Sequence, residues 1–190
     1  MARPVVGVDI DGVLGNQVSG VLDRVNARLD LSLDYKDVVH WDVPLGNTSF
    51  VPEIALAMAD PAYILEMPLH DGAQAMLREL KKTYYVKLLT VRPPEAIPPT
   101  MRWLARNELA FDELARAEEA RKSLHEVDAL IDDYVGNLAE FLENTPGAGV
   151  LVDQPWNQDV STLDGWRDDP RLIRSEKLSG IPGLLDGLLR

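Results

Sequence analysis

Apolar positions first gather between Val5 and Leu14. Val5, Val6, Val8 and Ile10 form a β-branched run of the kind that fills a strand buried on both faces. The period then changes. Val18, Val21, Leu22, Val25 and Leu29 recur at helical spacing and predict an amphipathic helix over Val18 to Leu33. Between Tyr35 and Tyr63 the pattern breaks up into a turn at Asp34 to Asp37, a loop at Val43 to Asn47 and a short helix over Pro52 to Ala59, entered by Pro52. A strand-and-helix rhythm resumes at Pro68. Asp71 is placed to cap a helix running to about Lys82, with Ala73, Met76, Leu77 and Leu80 as its inner stripe. Strands are predicted at Tyr84 to Thr90, Val127 to Ile131 and Gly149 to Val152, and a short edge strand at Leu172 to Ser175. Phe111 to Ala117 reads as a short strand or a loop. Helices are predicted at Ile97 to Asn107, Asn137 to Glu143 and Ile181 to Leu189. Such alternation implies an α/β fold with a parallel sheet and right-handed crossovers. Residues 1–14 and 68–190 form its core, and 15–67 a small, mostly helical insert after the first strand.

Composition narrows the class. With 190 residues and an apolar fraction of 46%, the chain fits one domain with an insert and excludes global disorder. It has no cysteine, which excludes disulfides and thiolate metal sites and fits a reducing compartment. No apolar run reaches the roughly 18 residues of a membrane span, and a buried-strand pattern by Val5 does not resemble a signal peptide. The expectation is a soluble, cytoplasmic protein with no membrane partner. A net charge of −12 disfavours long nucleic acid, which is bound through basic patches. It does not forbid a small phosphate ester, because a bound divalent cation can reverse the local sign.

The chemistry lies at the strand ends. The first strand ends in Asp9 and Asp11 before Gly12, the second in Thr90, and the next in Asp132-Asp133; Val150 to Val152 leads into Asp153. Buried carboxylates need a compensating partner, and the natural one is a hard cation held by oxygens. Parallel strands deliver these ends to one sheet edge, where open α/β sheets bind ligands. Each residue alone has a plainer reading: Thr90 satisfies a turn, Lys122 is solvated, and Asp132-Asp133 caps the next helix. Order and placement together favour a shared site. His40, His70 and His125 are far apart and lack metal-ligand spacing.

Taken in order, Asp9-Ile10-Asp11-Gly12-Val13-Leu14, Thr90 at the end of Lys87-Leu88-Leu89, Lys122, and Ile131-Asp132-Asp133 with Asn137 beyond resemble the four motifs of the haloacid dehalogenase superfamily of phosphotransferases. Thr90-Val91-Arg92-Pro93, Asp153-Gln154-Pro155-Trp156-Asn157 and the early insert are most similar to the 5′(3′)-deoxyribonucleotidases. One departure stands out: many relatives carry Ala-Asp where this chain has Gly15-Asn16.

The resemblance implies a Rossmann-like core under a helical cap, and a Mg²⁺-dependent phosphomonoester hydrolase. Asp9 would be the nucleophile that forms an aspartyl-phosphate, and Asp11 the acid and base. Mg²⁺ would sit on Asp9, Asp132 and the Asp11 carbonyl. Thr90 and Lys122 would hold phosphoryl oxygens, with Asp133 and Asn137 one layer out. Arg92 is open between structural pairing and substrate contact. Trp156 reads as a packing anchor ahead of a ligand group. The expected substrate is a nucleoside monophosphate, deoxy forms first, stacked on Trp41 or, second, Tyr63. The same chemistry on a sugar phosphate or other small metabolite is the nearest alternative. A catalytically silent module that binds a phosphorylated ligand or a protein is the alternative from another class. The insert is also a candidate surface for a homodimer.

Overall fold

The computed structural model describes residues 2–118, 121–166 and 168–189. Its centre is a six-stranded sheet, parallel throughout. The strands are β1 (Val5–Asp9), β4 (Tyr85–Thr90), β5 (Glu113–Arg116), β6 (Ala129–Asp132), β7 (Ala148–Val152) and β8 (Leu172–Ser175), in the order β5-β4-β1-β6-β7-β8. The first strand is therefore interior, which accounts for its unbroken apolar run. The chain leaves β1 toward β4 on one side, while β6 joins it on the other. This reversal of strand order opens a crevice at the carboxyl end of β1.

Side-chain alternation along the strands divides the core into two layers. Val6, Val8, Leu88, Ile131 and Val150 face a large cluster built with α4 (Ala73–Thr83), α5 (Ile97–Arg106) and α7 (Ile181–Leu188). Leu89, Leu130 and Leu151 face the opposite layer, filled by Leu138 and Phe141 of α6 (Val135–Asn144). The residue between strand and turn thus has no free face. Thr90, Asp9 and Asp132 end their strands buried.

The helix capped by Asp71 in the sequence reading is instead capped by Gly72, whose left-handed backbone (φ +84°) starts α4 at Ala73. Phe111 to Ala117 resolves into the edge strand β5. The first helix ends before the predicted Leu33: α1 (Gln17–Leu29) stops where Asp30 turns left-handed. The Val43 to Asn47 loop is part of a small antiparallel hairpin of β2 (Pro44–Leu45) and β3 (Thr48–Ser49). Two helices follow, α2 (Phe50–Met58) and α3 (Pro61–Glu66). The second was hidden in the sequence because it is a single short piece between Asp60 and Met67.

Segment 15–67 departs and returns through adjacent stretches of chain, bridged at Gly15 and Leu69. The Asn16 amide donates to the Pro68 carbonyl at 2.8 Å, and the His70 amide to Leu14 at 2.9 Å. Its apolar residues, among them Phe50 and Ile64, are continuous with the main core. Trp103 of α5 secures the return, with its indole N–H donating to the Met67 carbonyl at 2.7 Å. No helix among the described residues is long and apolar enough to cross a membrane.

Trp103 is fully buried, so Trp103→Ala is expected to cost about 3–5 kcal/mol of stability. For a chain of this size that lowers the melting temperature by roughly 2–4 °C per kcal/mol. Denaturant unfolding of both proteins measures it; a loss within error of zero would contradict this account of how the insert is anchored.

Candidate active site

The turn after β1 is shaped by Gly12, whose φ of +82° suits glycine. A Cβ there would lie 2.2 Å from an Asp133 carboxylate oxygen. The missing side chain lets the loop after β6 close on the loop after β1. Three carboxylates meet in that gap. Asp9, Asp132 and Asp133 each bring an oxygen to within 4.8 Å of the others, and all three residues are buried.

Lys122 sits among them, fully buried. It lies in a 3₁₀ turn, Lys122–His125, on the crossover between β5 and β6. Its ammonium donates to Asp132 Oδ2 at 2.6 Å and to Asp9 Oδ1 in a short contact. Asp132 also accepts from the Tyr134 amide at 2.8 Å and from Asn137 Nδ2 at 3.0 Å. Asn137 Oδ1 is buried with no hydrogen-bond partner among the described residues. One ammonium against three carboxylates leaves a surplus of negative charge. Burial therefore pushes the Asp9 carboxyl up to about 7, helped by Asp132 and Asp11 and resisted by Lys122. Burial, with Asp132 and Asp9 beside it, likewise raises Asp133 well above the ordinary carboxylate range. For Lys122 burial alone would favour loss of the proton, but the adjacent Asp132 and Asp9 outweigh it and hold the ammonium charged.

The segment after β7 completes the walls. Trp156 Nε1 donates to Asp133 Oδ2 at 2.7 Å, and Asn157 Nδ2 to the Asp133 carbonyl at 2.8 Å. Gln154 Nε2 donates to the Gly12 carbonyl at 2.7 Å, while its Oε1 accepts from the Tyr35 hydroxyl at 2.7 Å. Trp156 is thus both a packing anchor and a polar partner of Asp133. The sequence signal for these contacts was a polar run directly after a buried strand.

The remaining candidates are distributed around this cluster. Thr90 lies at the end of β4, next to β1, buried, with its hydroxyl accepting from the Arg92 amide at 3.2 Å. The Asp11 carboxylate is turned to Arg92. Asp133, read from the sequence as one layer out, brings an oxygen into the same group as Asp9 and Asp132. Asp153 pairs with Arg174. Trp41 lies half-buried against Trp156, ring centroids 4.9 Å apart. Tyr63 of α3 is buried against α1, its hydroxyl on the Gln17 carbonyl and its ring under Arg24.

The arrangement suits phosphoryl chemistry: a buried carboxylate, a fixed ammonium, a hydroxyl and an oxygen-rich pocket for a cation converge at one sheet edge. Comparisons with known proteins agree. The 5′(3′)-deoxyribonucleotidase of Bacillus subtilis (strain 168) is 25% identical over 159 residues, covering 82% of this chain and 88% of that protein. The enzyme of the same name from Bacillus phage SPbeta matches equally. A haloacid dehalogenase-like hydrolase from Xanthomonas campestris superposes with a TM-score of 0.64 at 16% identity, covering 98% of this chain and 96% of that one. One from Streptococcus pneumoniae gives 0.63 at 15%, covering 96% and 98%. These two show the haloacid dehalogenase fold. Residues 3–178 match the family model described as "5′ nucleotidase, deoxy (Pyrimidine), cytosolic type C protein", and the chain belongs to that family of hydrolases.

Proposed function

We propose that the protein is a Mg²⁺-dependent phosphatase of nucleoside monophosphates, deoxy forms first, working through a phosphorylated Asp9. The carrying observation is the buried group of Asp9, Asp132 and Asp133 around Lys122. The two relatives named as deoxyribonucleotidases support the substrate class.

The donors fit the metal. They are oxygens only, buried, and more negative than Lys122 can balance, which suits a hard divalent cation. Asn137 Oδ1 adds an acceptor available to a water in the same pocket. Asp9, Asp132 and Asp133 would hold the ion, with the Asp11 carbonyl as a further oxygen. When bound, it would neutralise the surplus charge and polarise the phosphoryl oxygens.

The residues then divide the work. An Asp9 carboxylate oxygen attacks phosphorus, and the bond from phosphorus to the ester oxygen breaks. Asp11 gives its proton to that leaving oxygen. It next takes a proton from the water that attacks the Asp9 phosphate, releasing inorganic phosphate and restoring Asp9. The Lys122 ammonium and Thr90 hydroxyl hold phosphoryl oxygens as their charge grows. Trp156 keeps Asp133 in place. Residues 1–14 and 68–190 serve as the catalytic core and 15–67 as a cap, which supplies selectivity. Trp41, leaning on Trp156, is its first candidate for a stacking face, since the Tyr63 ring and hydroxyl are engaged in packing.

Asp9→Asn should abolish phosphate release while leaving the circular dichroism spectrum unchanged, and chelation should silence the wild type reversibly. Near-normal turnover by Asp9→Asn would exclude the covalent route.

A stability measurement tests the metal independently. In the metal-free fold Asp9 keeps its proton to about pH 7, against an ordinary 3.8. The folded state binds more protons than the unfolded one across that window, so this group's contribution to stability is lost as pH rises. In chelator, the melting temperature of Asp9→Asn relative to wild type should therefore climb from pH 4 to pH 7. Saturating Mg²⁺ should raise the wild-type melting temperature, binding at a hundredfold Kd being worth about 2.7 kcal/mol, and should do much less for Asp9→Asn. Equal Mg²⁺ shifts in both proteins would place the ion elsewhere.

Selectivity is checked with a panel of monoesters. Nucleoside monophosphates should outrank hexose phosphates. Trp41→Ala should raise KM for nucleotides about tenfold, the loss of a stacking contact of roughly 1–3 kcal/mol, and change little for a small aryl phosphate. A panel led by hexose phosphates would remove the nucleotide assignment and keep the phosphatase.

A further inference from the structure

We infer that Arg92 is a positioning residue that aims the Asp11 carboxyl, and that the return of the insert at Met67 helps to hold it in place. The inference rests on the role proposed above for Asp11. Arg92 meets Asp11 with two parallel bonds: Nε donates to Oδ2 at 2.8 Å and Nη2 to Oδ1 at 2.6 Å. The Arg92 side chain is 1% exposed, whereas that of Asp11 keeps 16%. The guanidinium lies behind the carboxyl, and the carboxyl retains an open side.

Arg92 is itself fixed from three directions. Its Nη1 donates to Thr100 Oγ1 at 2.7 Å, and that hydroxyl donates to the Ala96 carbonyl at 2.7 Å. Its own backbone amide is tied to Thr90. Its Nη2 also meets Met67 Sδ at 3.4 Å, and the same Met67 accepts from Trp103 at its carbonyl. The end of β4, the start of α5 and the end of the insert therefore converge on one side chain. Four of the five N–H donors are committed in this way and the side chain is 1% exposed, which assigns Arg92 to pairing ahead of substrate contact.

The chemistry asked of Asp11 explains the need. A group that gives a proton and then takes one must keep the same oxygen directed at the reacting bond. A carboxylate has about four lone-pair directions. The planar fork of arginine occupies one on each oxygen and leaves the rest free, which a lysine ammonium does not reproduce. Gly15 belongs to the same device. A Cβ at 15 would lie 2.3 Å from Met67 Cε and 3.0 Å from Sδ. Glycine leaves the space in which the thioether reaches Arg92.

The test compares kcat on a nucleoside 5′-monophosphate, whose alkoxide must be protonated as it leaves, with kcat on p-nitrophenyl phosphate, whose phenolate leaves readily. The proteins are the full chain as wild type, Asp11→Asn, Arg92→Gln, Arg92→Lys and the Asp11→Asn/Arg92→Gln double variant. Arg92→Gln should lose at least about tenfold more on the nucleotide than on the aryl ester, a part of the 10²–10⁴-fold typical of general acid–base catalysis. Arg92→Lys should show the same bias in weaker form. The double variant should be no slower than Asp11→Asn alone, because Arg92 acts through Asp11. Equal losses on both esters, or a double variant slowed by the product of the single effects, would overturn the positioning role while leaving an active phosphatase in place. Should Arg92→Gln fail to fold by circular dichroism, Arg92→Lys and Gly15→Ala, which displaces Met67 and keeps the guanidinium, carry the same comparison. A wild type that releases phosphate from neither ester would overturn the function and the positioning role together.

Discussion

The structure depends on one buried ammonium. Lys122 has no exposed surface and stands between Asp9 and Asp132 on neighbouring strands. Removing the ammonium would leave these carboxylates uncompensated in the interior, at a cost of about 3–5 kcal/mol. The arrangement ties the crossover from β5 to β6 directly to the centre of the sheet. It also sets the electrostatics of the crevice: one positive charge is too little for three carboxylates, and the site is left receptive to a cation.

Around that centre the loops hold one another rather than resting on solvent. Gly12 gives Asp133 its room, Trp156 and Asn157 hold Asp133 from the next strand, and Gln154 reaches back to the Gly12 carbonyl. Each loop after a strand thereby fixes its neighbour. Asp11 is the exception, being held from behind by Arg92, which answers to α5 and to the insert. Asp9 and Asp11 therefore sit in two different supports: the first in the sheet, the second at the seam between sheet and insert.

Much of this was legible in the chain. The run from Val5 to Ile10 announced an interior strand, because a strand covered on both faces has no use for alternation. Carboxylates and hydroxyls at the ends of apolar runs marked the edge where Asp9, Thr90 and Asp132 lie, because a parallel sheet brings all its carboxyl ends together. Less was legible where the pattern was short or the partner distant. The helix α3 is six residues long, too few turns for a periodic signal. Asp71 looked like a cap by type, but the turn needed a left-handed residue and Gly72 took the position.

By itself, then, the sequence determined the α/β alternation, the sheet edge at which the strand-end carboxylates meet and the residue types that gather there, since these follow from local periodicity and from the cost of burying charge. Tertiary structure alone decided the pairings. Arg92 is 81 positions from Asp11, and Trp156 is 23 positions from Asp133. No local pattern reports such contacts, because a side chain's partner is set by which strands and loops become neighbours. That is why the sequence left Arg92 open between substrate and structure, and why its bidentate bond to Asp11 became visible only when β4, α5 and the end of the insert were packed against the turn after β1.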